Sequence, residues 1–258
     1  MDEILKLENL SLTYQSEAGE TQALKDVSFT VKDGEFVSII GPSGCGKTTI
    51  LSLISGLISP TKGKIIFKNN ELINPLTSVG YMLQRDELFS WRTIEKNIYL
   101  PLEIKKINTP NNKKYALELL EKYGLKDFAK AYPYEISGGM RQRVALIRTL
   151  VSKPDVLLLD EPFSALDYQT RLSVCDDVYK IIREQNKTAI LVTHDISEAL
   201  SMSDKIIVLT KRPAKILAIH EYSVDKTLTP LKRRELKDFG SNFETLWGEL
   251  NDEKQANR

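Results

Sequence analysis

Residues 41–48 read Gly41-Pro42-Ser43-Gly44-Cys45-Gly46-Lys47-Thr48, the spacing G-x-x-x-x-G-K-[ST]. The chemistry of that pattern is the holding of a polyphosphate. Glycines let the main chain curl until its N–H groups face one centre, where an anion sits. A helix that begins at the same point adds partial positive charge. In such a cradle the Lys47 ammonium reaches the β- and γ-phosphates, the Thr48 hydroxyl ligates Mg²⁺, and Thr49 belongs to the same binding turn. A glycine-rich turn without function would satisfy the same letters, but the flanks argue for the cradle. Phe36-Val37-Ser38-Ile39-Ile40 runs apolar into the first glycine, and residues 50–57 continue as a helix.

A second cluster stands at 156–161, Val156-Leu157-Leu158-Leu159-Asp160-Glu161. It is an apolar strand that ends in two carboxylates. Alone it could be a buried strand entering a solvated acidic turn. Beside a phosphate cradle the strand-end Asp160 takes the Mg²⁺ role, and Glu161 is placed to polarise an attacking water as general base.

Those residues need strand ends and helix starts to hold them. Residues 4–14 and 27–32 alternate apolar and polar, as strands with one exposed face do. Lys32-Asp33-Gly34-Glu35 is a turn, and 36–40 is a buried parallel strand. Further strands are expected at 63–67 and 78–82, with an Asn69-Asn70 turn between them. From about 85 to 150 the texture becomes helical, with helices at 113–123 and 138–150 and a loop at 108–114. Strands resume at 156–159, 188–192 and 206–209, with a helix at 168–185. This alternation predicts a mainly parallel sheet with helices on both faces, and the helical middle reads as an insertion. The tail from about 225 is charged. Phe239, Phe243, Leu246, Trp247 and Leu250 recur at helical spacing, so a short amphipathic helix is expected there, docking on this chain or on a partner.

The bulk numbers narrow the classes. The chain has 258 residues, 28% charged and 41% hydrophobic, with a net charge of +1 from 36 basic and 35 acidic residues. A nucleic-acid binder usually carries a basic excess, so nucleic acid is not an expected partner. Two cysteines, Cys45 and Cys175, lack metal-ligand spacing, which fits a reduced compartment. The N-terminus has no basic stretch followed by a long apolar run. No apolar run approaches the ~20 residues of a membrane-spanning helix, so a membrane role would work through a partner.

Ile136-Ser137-Gly138-Gly139-Met140-Arg141-Gln142-Arg143 resembles the signature motif of the ABC ATPases, usually written LSGGQ. Other elements of that family follow in its order. Tyr14 resembles the aromatic that stacks on adenine, and Gln84, at a strand end, resembles the Q-loop glutamine. Ser164-Ala165-Leu166-Asp167 resembles the D-loop, and His194 the switch histidine. The resemblance covers residues 4–215. Met140 replaces the usual glutamine and Ile136 the usual leucine, while Ser137 and Gly139 are retained. Singly, these residues have plainer readings: a strand aromatic, a surface amide, a turn, a non-catalytic histidine. Their order beside the phosphate cradle favours the family reading.

The resemblance implies an α/β fold: a P-loop NTPase (RecA-like) core with an N-terminal antiparallel β subdomain and an inserted helical subdomain. It places an ABC ATPase domain at 1–224, with the helical subdomain at about 85–150 and the tail at 225–258. It implies ATP and Mg²⁺ as cofactors, and Gln84 as a further metal contact and part of the hydrolytic set with Lys47, Glu161 and His194. Two copies would pack head to tail over two ATPs, with Ser137, Gly138, Gly139 and Met140 of one copy meeting the γ-phosphate bound by the other. Asp167 would link the two sites. The expected activity is ATP hydrolysis that drives a membrane transporter from the cytoplasmic face. Integral permease subunits would be partners, with an extracytoplasmic solute-binding protein acting indirectly. Leu88-Phe89-Ser90-Trp91 offers aromatics for a permease helix, or simply packs its own subdomain. Residues 84–93, the hairpin at 68–78 and Lys211-Arg212-Pro213-Ala214-Lys215-Ile216 resemble the nitrate/sulfonate/taurine importer branch, which includes importers of thiamin precursors. An exporter or lipoprotein-release motor is the alternative. A nucleic-acid ABC ATPase would carry long coiled coils, and a translation-associated one two cassettes; the sequence has neither.

Overall fold

The structure, a computed structural model, describes residues 2–17, 19–72 and 78–255. Along the chain the strands and helices are β1 (Glu3–Ser16), β2 (Gly19–Lys32), β3 (Phe36–Ile40), α1 (Lys47–Ile54), β4 (Lys62–Phe67), β5 (Asn70–Glu71), β6 (Val79–Met82), α2 (Ile94–Ile104), α3 (Pro110–Lys122), α4 (Gly138–Leu150), β7 (Val156–Asp160), α5 (Tyr168–Glu184), β8 (Thr188–Val192), α6 (Ile196–Met202), β9 (Lys205–Leu209), β10 (Ile216–Glu221), α7 (Pro230–Arg233) and α8 (Phe239–Gln255). They fall into two compact units, Met1–Leu76 with Asn186–Arg258, and Thr77–Gln185.

The first unit holds an antiparallel sheet in the order β2-β1-β4-β5. β1 and β2 are longer than the alternation in sequence suggests. Their pairing shifts register between Leu7 and Leu10 and again before Leu12, near Asn9 (φ 50°) and Asp26 (φ 52°). An extra residue in a strand breaks the period of two, so alternation survives only in pieces. The turn after β4 is Lys68-Asn69, both at positive φ, one residue earlier than expected. It joins β4 to the short β5, Phe67 opposite Asn70. The hairpin expected at 68–78 lies partly outside the described residues.

In the same unit β3 pairs in parallel with both β8 and β9, with Ile39 opposite Val192 and Ile207. β10 runs antiparallel on the other side of β9. β3, β8 and β9 are buried at every position, as strands covered on both faces must be. Because the three run parallel and in register, they end at one edge, where Gly41, His194 and the β9–β10 turn follow. α6 packs on β3, and α8 packs on α6. Leu246 of α8 is wholly buried among Ile40, Ile196, Ala199, Leu200, Ile206 and Val208. Glu249 accepts from His220 Nε2 on β10 at 2.9 and 3.0 Å.

The second unit pairs β6 and β7 in parallel, Met82 opposite Leu159. Its α4 packs against α2, α3 and α5. The loop expected at 108–114 is mostly helix: Thr109 accepts from Asn112 N–H as N-cap and Pro110 opens α3, a pairing that starts helices well. Asn97 is fully buried. It accepts from Phe89 N–H (2.8 Å) and donates to the carbonyls of Phe89 (3.1 Å), Arg92 (3.0 Å) and Thr93 (3.1 Å), which fixes the turn leading into α2.

Candidate functional site

In the first unit the phosphate cradle joins β3 to α1. α1 begins at Lys47 itself rather than near Ile50, so the helix N-terminus lies inside the motif. Gly46 has φ 122°, and a Cβ there would stand 3.0 Å from Leu24 Cδ2. At Gly41 a Cβ would stand 3.0 Å from Cys45 Sγ and 3.1 Å from the Leu209 backbone oxygen. These two positions require glycine, one for conformation and one for space. Lys47 is buried, and its ammonium donates to the carbonyls of Gly41 (2.9 Å) and Pro42 (3.1 Å). Ser43, Gly44 and Thr48 are exposed, while Pro42 and Thr49 are half-buried. Cys45 is buried, and burial pushes its thiol pKa up against the pull of Lys47 and Arg212.

Tyr14 on β1 is exposed, and its hydroxyl lies 3.2 Å from Thr49 Oγ1, which orients the ring over the start of α1. His194 follows β8 and is exposed. With Gly41, Pro42 and Ser43 it lines a cavity of about 500 Å³ whose far wall is Phe243, Trp247 and Leu250 of α8. The parallel register of β3 and β8 brings His194 to the cradle, and the tail helix closes the other side. Arg212, in the β9–β10 turn, donates from Nη2 to the Gly44 carbonyl at 2.9 Å.

In the second unit Asp160 ends β7, is buried, and accepts from the Tyr81 hydroxyl at 3.3 Å. Glu161 has φ 43°, a left-handed backbone uncommon for a side-chain-bearing residue and a feature often found at functional sites. Gln84 lies just beyond β6 and Glu161 just beyond β7. Parallel pairing sets them side by side, and Gln84 Nε2 donates to Glu161 Oε2 (3.4 Å) and to Ser164 Oγ (3.3 Å).

Ser137 is the N-cap of α4 and accepts from Met140 N–H at 3.3 Å, so Gly138 and Gly139 open that helix. Their N–H groups lie in a first turn suited to an anion. Asp167 caps α5, accepting from Thr170 N–H at 3.1 Å, and hydrogen bonding from the Thr170 side chain and then from its backbone holds the Asp167 carboxyl below the usual range. Within each unit, then, predicted site residues converge: Tyr14, the cradle and His194 in one; Gln84, Asp160 and Glu161 in the other.

A family model described as ABC transporter matches residues 24–164. The chain belongs to the ABC transporter family. It is 47% identical over 255 residues to the ABC transporter ATP-binding protein YtlC of Bacillus subtilis, covering 97% of each chain. It is 40% identical to the taurine import ATP-binding protein TauB of Pelagibacter ubique, covering 88% of each. Among solved structures it resembles the dimeric ATP-binding cassette MJ0796, captured after hydrolysis with ADP and Pi, at 33% identity and TM-score 0.72 over 86% of this chain and 100% of that one. The ABC cassette fold accounts for the antiparallel N-terminal sheet and the mixed main sheet. Among the described residues no helix of this ABC transporter ATPase is long and apolar enough to cross a membrane.

Several residues around the site carried no individual reading in the sequence. Arg141 and Arg148 lie seven apart on α4, two helical turns, and so share a face. Arg141 Nε donates to Asp86 Oδ2 at 3.0 Å and its Nη1 to the Ile136 carbonyl at 2.9 Å. Tyr81 had no reading of its own, and Arg212 entered only as one residue of the 211–216 segment, with no contact to the cradle expected. The spacing of Arg141 and Arg148 against Asp86-Glu87 is the one signal that sequence alone offered.

Proposed function

We propose that this chain is the ATP-hydrolysing motor of an ABC importer in the nitrate/sulfonate/taurine branch. The reading is carried by Lys47, folded onto the carbonyls of its own glycine-rich loop in the first unit, and supported in the second unit by Glu161, held at positive φ beside Gln84. Homology to a taurine import ATPase supports the branch.

In this reading Gly41, Ser43, Gly44, Cys45 and Gly46 present N–H groups to the phosphates with Pro42 shaping the turn, Lys47 balances their charge, and Tyr14 stacks on the base. Glu161 takes the proton of the attacking water, and Gln84 and His194 orient that water and the γ-phosphate. Mg²⁺ supplies charge neutralisation at the phosphate oxygens when bound with the nucleotide. Thr48, Gln84 and Asp160 offer one hydroxyl, one amide and one carboxylate, the hard oxygen donors that Mg²⁺ takes alongside phosphates.

Two copies act together, and Ser137, Gly138, Gly139 and Met140 of each complete the other's site, with Asp167 linking them. Residues 1–224 form the ATPase domain, with its helical subdomain at about 85–150, and 225–258 form the tail. The partners are integral permease subunits at the cytoplasmic face of the membrane and, through them, an extracytoplasmic solute-binding protein. The test is to purify the chain with its native membrane subunit and screen solutes for stimulated phosphate release. Stimulation by sulfonates, nitrate or pyrimidine thiamin precursors is expected. No ATP hydrolysis in the complex would overturn the motor role, and stimulation only by an exported lipid-linked or drug-like compound would replace import with export.

A further inference from the structure

The β9–β10 turn runs along the outside of the phosphate cradle, meets it directly at two places and reaches it at a third through β2. Leu209, at its start, lies under Gly41, close enough that any Cβ on that glycine would stand 3.1 Å from its side chain. Arg212 reaches Gly44. Ala214 pairs with β2: its N–H donates to the Ala23 carbonyl at 2.9 Å and its carbonyl accepts from Lys25 N–H at 2.9 Å. The residue between them, Leu24, packs on Gly46. Thr210 closes the turn, donating from its N–H to the Lys215 carbonyl at 3.0 Å and accepting from Lys215 N–H at 2.9 Å. The turn is therefore fixed at both ends, and Arg212 stands at its tip.

The cradle works only if its carbonyls point away from the anion. Lys47 draws off the carbonyls of Gly41 and Pro42. Gly44 is different. It is exposed, has φ 73°, and a Cβ on it would meet nothing within 4 Å; the peptide that carries its carbonyl is held at its other end, where Cys45 N–H donates to the Pro42 carbonyl at 3.2 Å. The guanidinium of Arg212, 2.9 Å from the Gly44 carbonyl, holds the carbonyl end with a charge-assisted hydrogen bond.

We propose that Arg212 is a positioning residue of the phosphate cradle, holding the Gly44 peptide with its carbonyl outward so that the loop is preorganised for the phosphates of a nucleotide. The inference rests on the reading of the chain as an ATP-binding motor and adds to it a residue outside the motifs that define the site. Preorganisation of this kind acts on binding rather than on the chemical step. Because Gly44 belongs to the phosphate loop, ATP and ADP are affected alike.

The experiment is equilibrium titration of the full chain with MgATP and MgADP, together with steady-state hydrolysis and thermal melting, for wild type, Arg212→Ala and Arg212→Lys. The expected result for Arg212→Ala is a Kd raised about 5- to 10-fold for both nucleotides, the loss of one exposed charge-assisted bond. KM rises in step, kcat changes less than about 2-fold, and the melting temperature is unaltered. Arg212→Lys, which keeps a charged donor, recovers most of the affinity. Unchanged Kd values in Arg212→Ala, or a fall in kcat and melting temperature with no recovery by lysine, would overturn the inference while leaving the motor reading intact. Failure of the wild-type chain to bind either nucleotide would overturn both.

Discussion

The Arg148 guanidinium on α4 lies 2.6 Å from the Glu87 carbonyl, and its second nitrogen lies 2.5 Å from the carbonyl of Asp86. Glu87 sits at φ 46°, so the clamp holds a residue in the left-handed region. Burial pulls the Arg148 pKa down, with Asp86 and Glu87 opposing, yet a guanidinium stays charged in proteins. Together with Arg141 on Asp86, it ties the segment after Gln84 to the helix that Ser137 opens.

Arg148→Ala should therefore cost about 2–3 kcal/mol, because it leaves two carbonyls without their charged donor. Arg148→Lys should recover only part, since a point charge cannot span both carbonyls as a planar fork does. Chemical denaturation of both variants checks this. An unchanged midpoint for the alanine variant would show that the clamp carries no stability.

Glu161 combines a catalytic assignment with backbone strain, and the two can be separated. Glu161→Gln keeps the backbone conformation and removes the base. Hydrolysis should fall by about 10²-fold or more, ATP binding should persist, and a nucleotide-trapped dimer should accumulate on gel filtration. Glu161→Gly should also be inactive but melt at a higher temperature, because glycine relieves a strain of about 1 kcal/mol. Normal turnover by the glutamine variant would remove Glu161 from the general-base role.

Leu246 is wholly buried in the first unit's core, against Ile40 at the end of the strand that feeds the phosphate cradle. Leu246→Ala should destabilise the fold by about 2–5 kcal/mol, readable as a lowered melting temperature. Trp247, its half-exposed neighbour, should tolerate alanine with a much smaller shift. Equal tolerance at both positions would mean that α8 is not part of the core.

Cys45 offers a probe of the cradle by pH. Its thiol pKa is raised by burial, so the reactive thiolate is scarcer at neutral pH than for an ordinary cysteine. Alkylation of the folded chain should be slow near pH 7, and its rate should keep climbing above the pH at which a free cysteine levels off. Bound MgATP should slow it further. Rapid modification at pH 7 in the native state would contradict the burial.

That the chain is an ATP-hydrolysing cassette was legible in short runs of residues. Gly41 to Thr48, the carboxylates Asp160 and Glu161, and the Ser137-Gly138-Gly139 start of α4 are local signals, readable because phosphate binding depends on short runs of backbone and one helix turn. The apolar runs of β3, β7 and β8 were legible for the same reason: burial on both faces writes itself into consecutive residues. Other features were hidden by local departures from the expected pattern or depended on partners distant in the chain. The bulges at Asn9 and Asp26 hid half of β2 by breaking its alternation, and Thr109-Pro110 turned an expected loop into the start of α3. The place of His194 beside Gly41 follows from the parallel register of β3 and β8, and that of Gln84 beside Glu161 from β6 and β7. Arg212 and Leu246 gain their contacts with the cradle and with Ile40 only when the chain folds back after β9. No spacing rule reports such contacts, because they are set by strand order and by packing between residues far apart in the sequence.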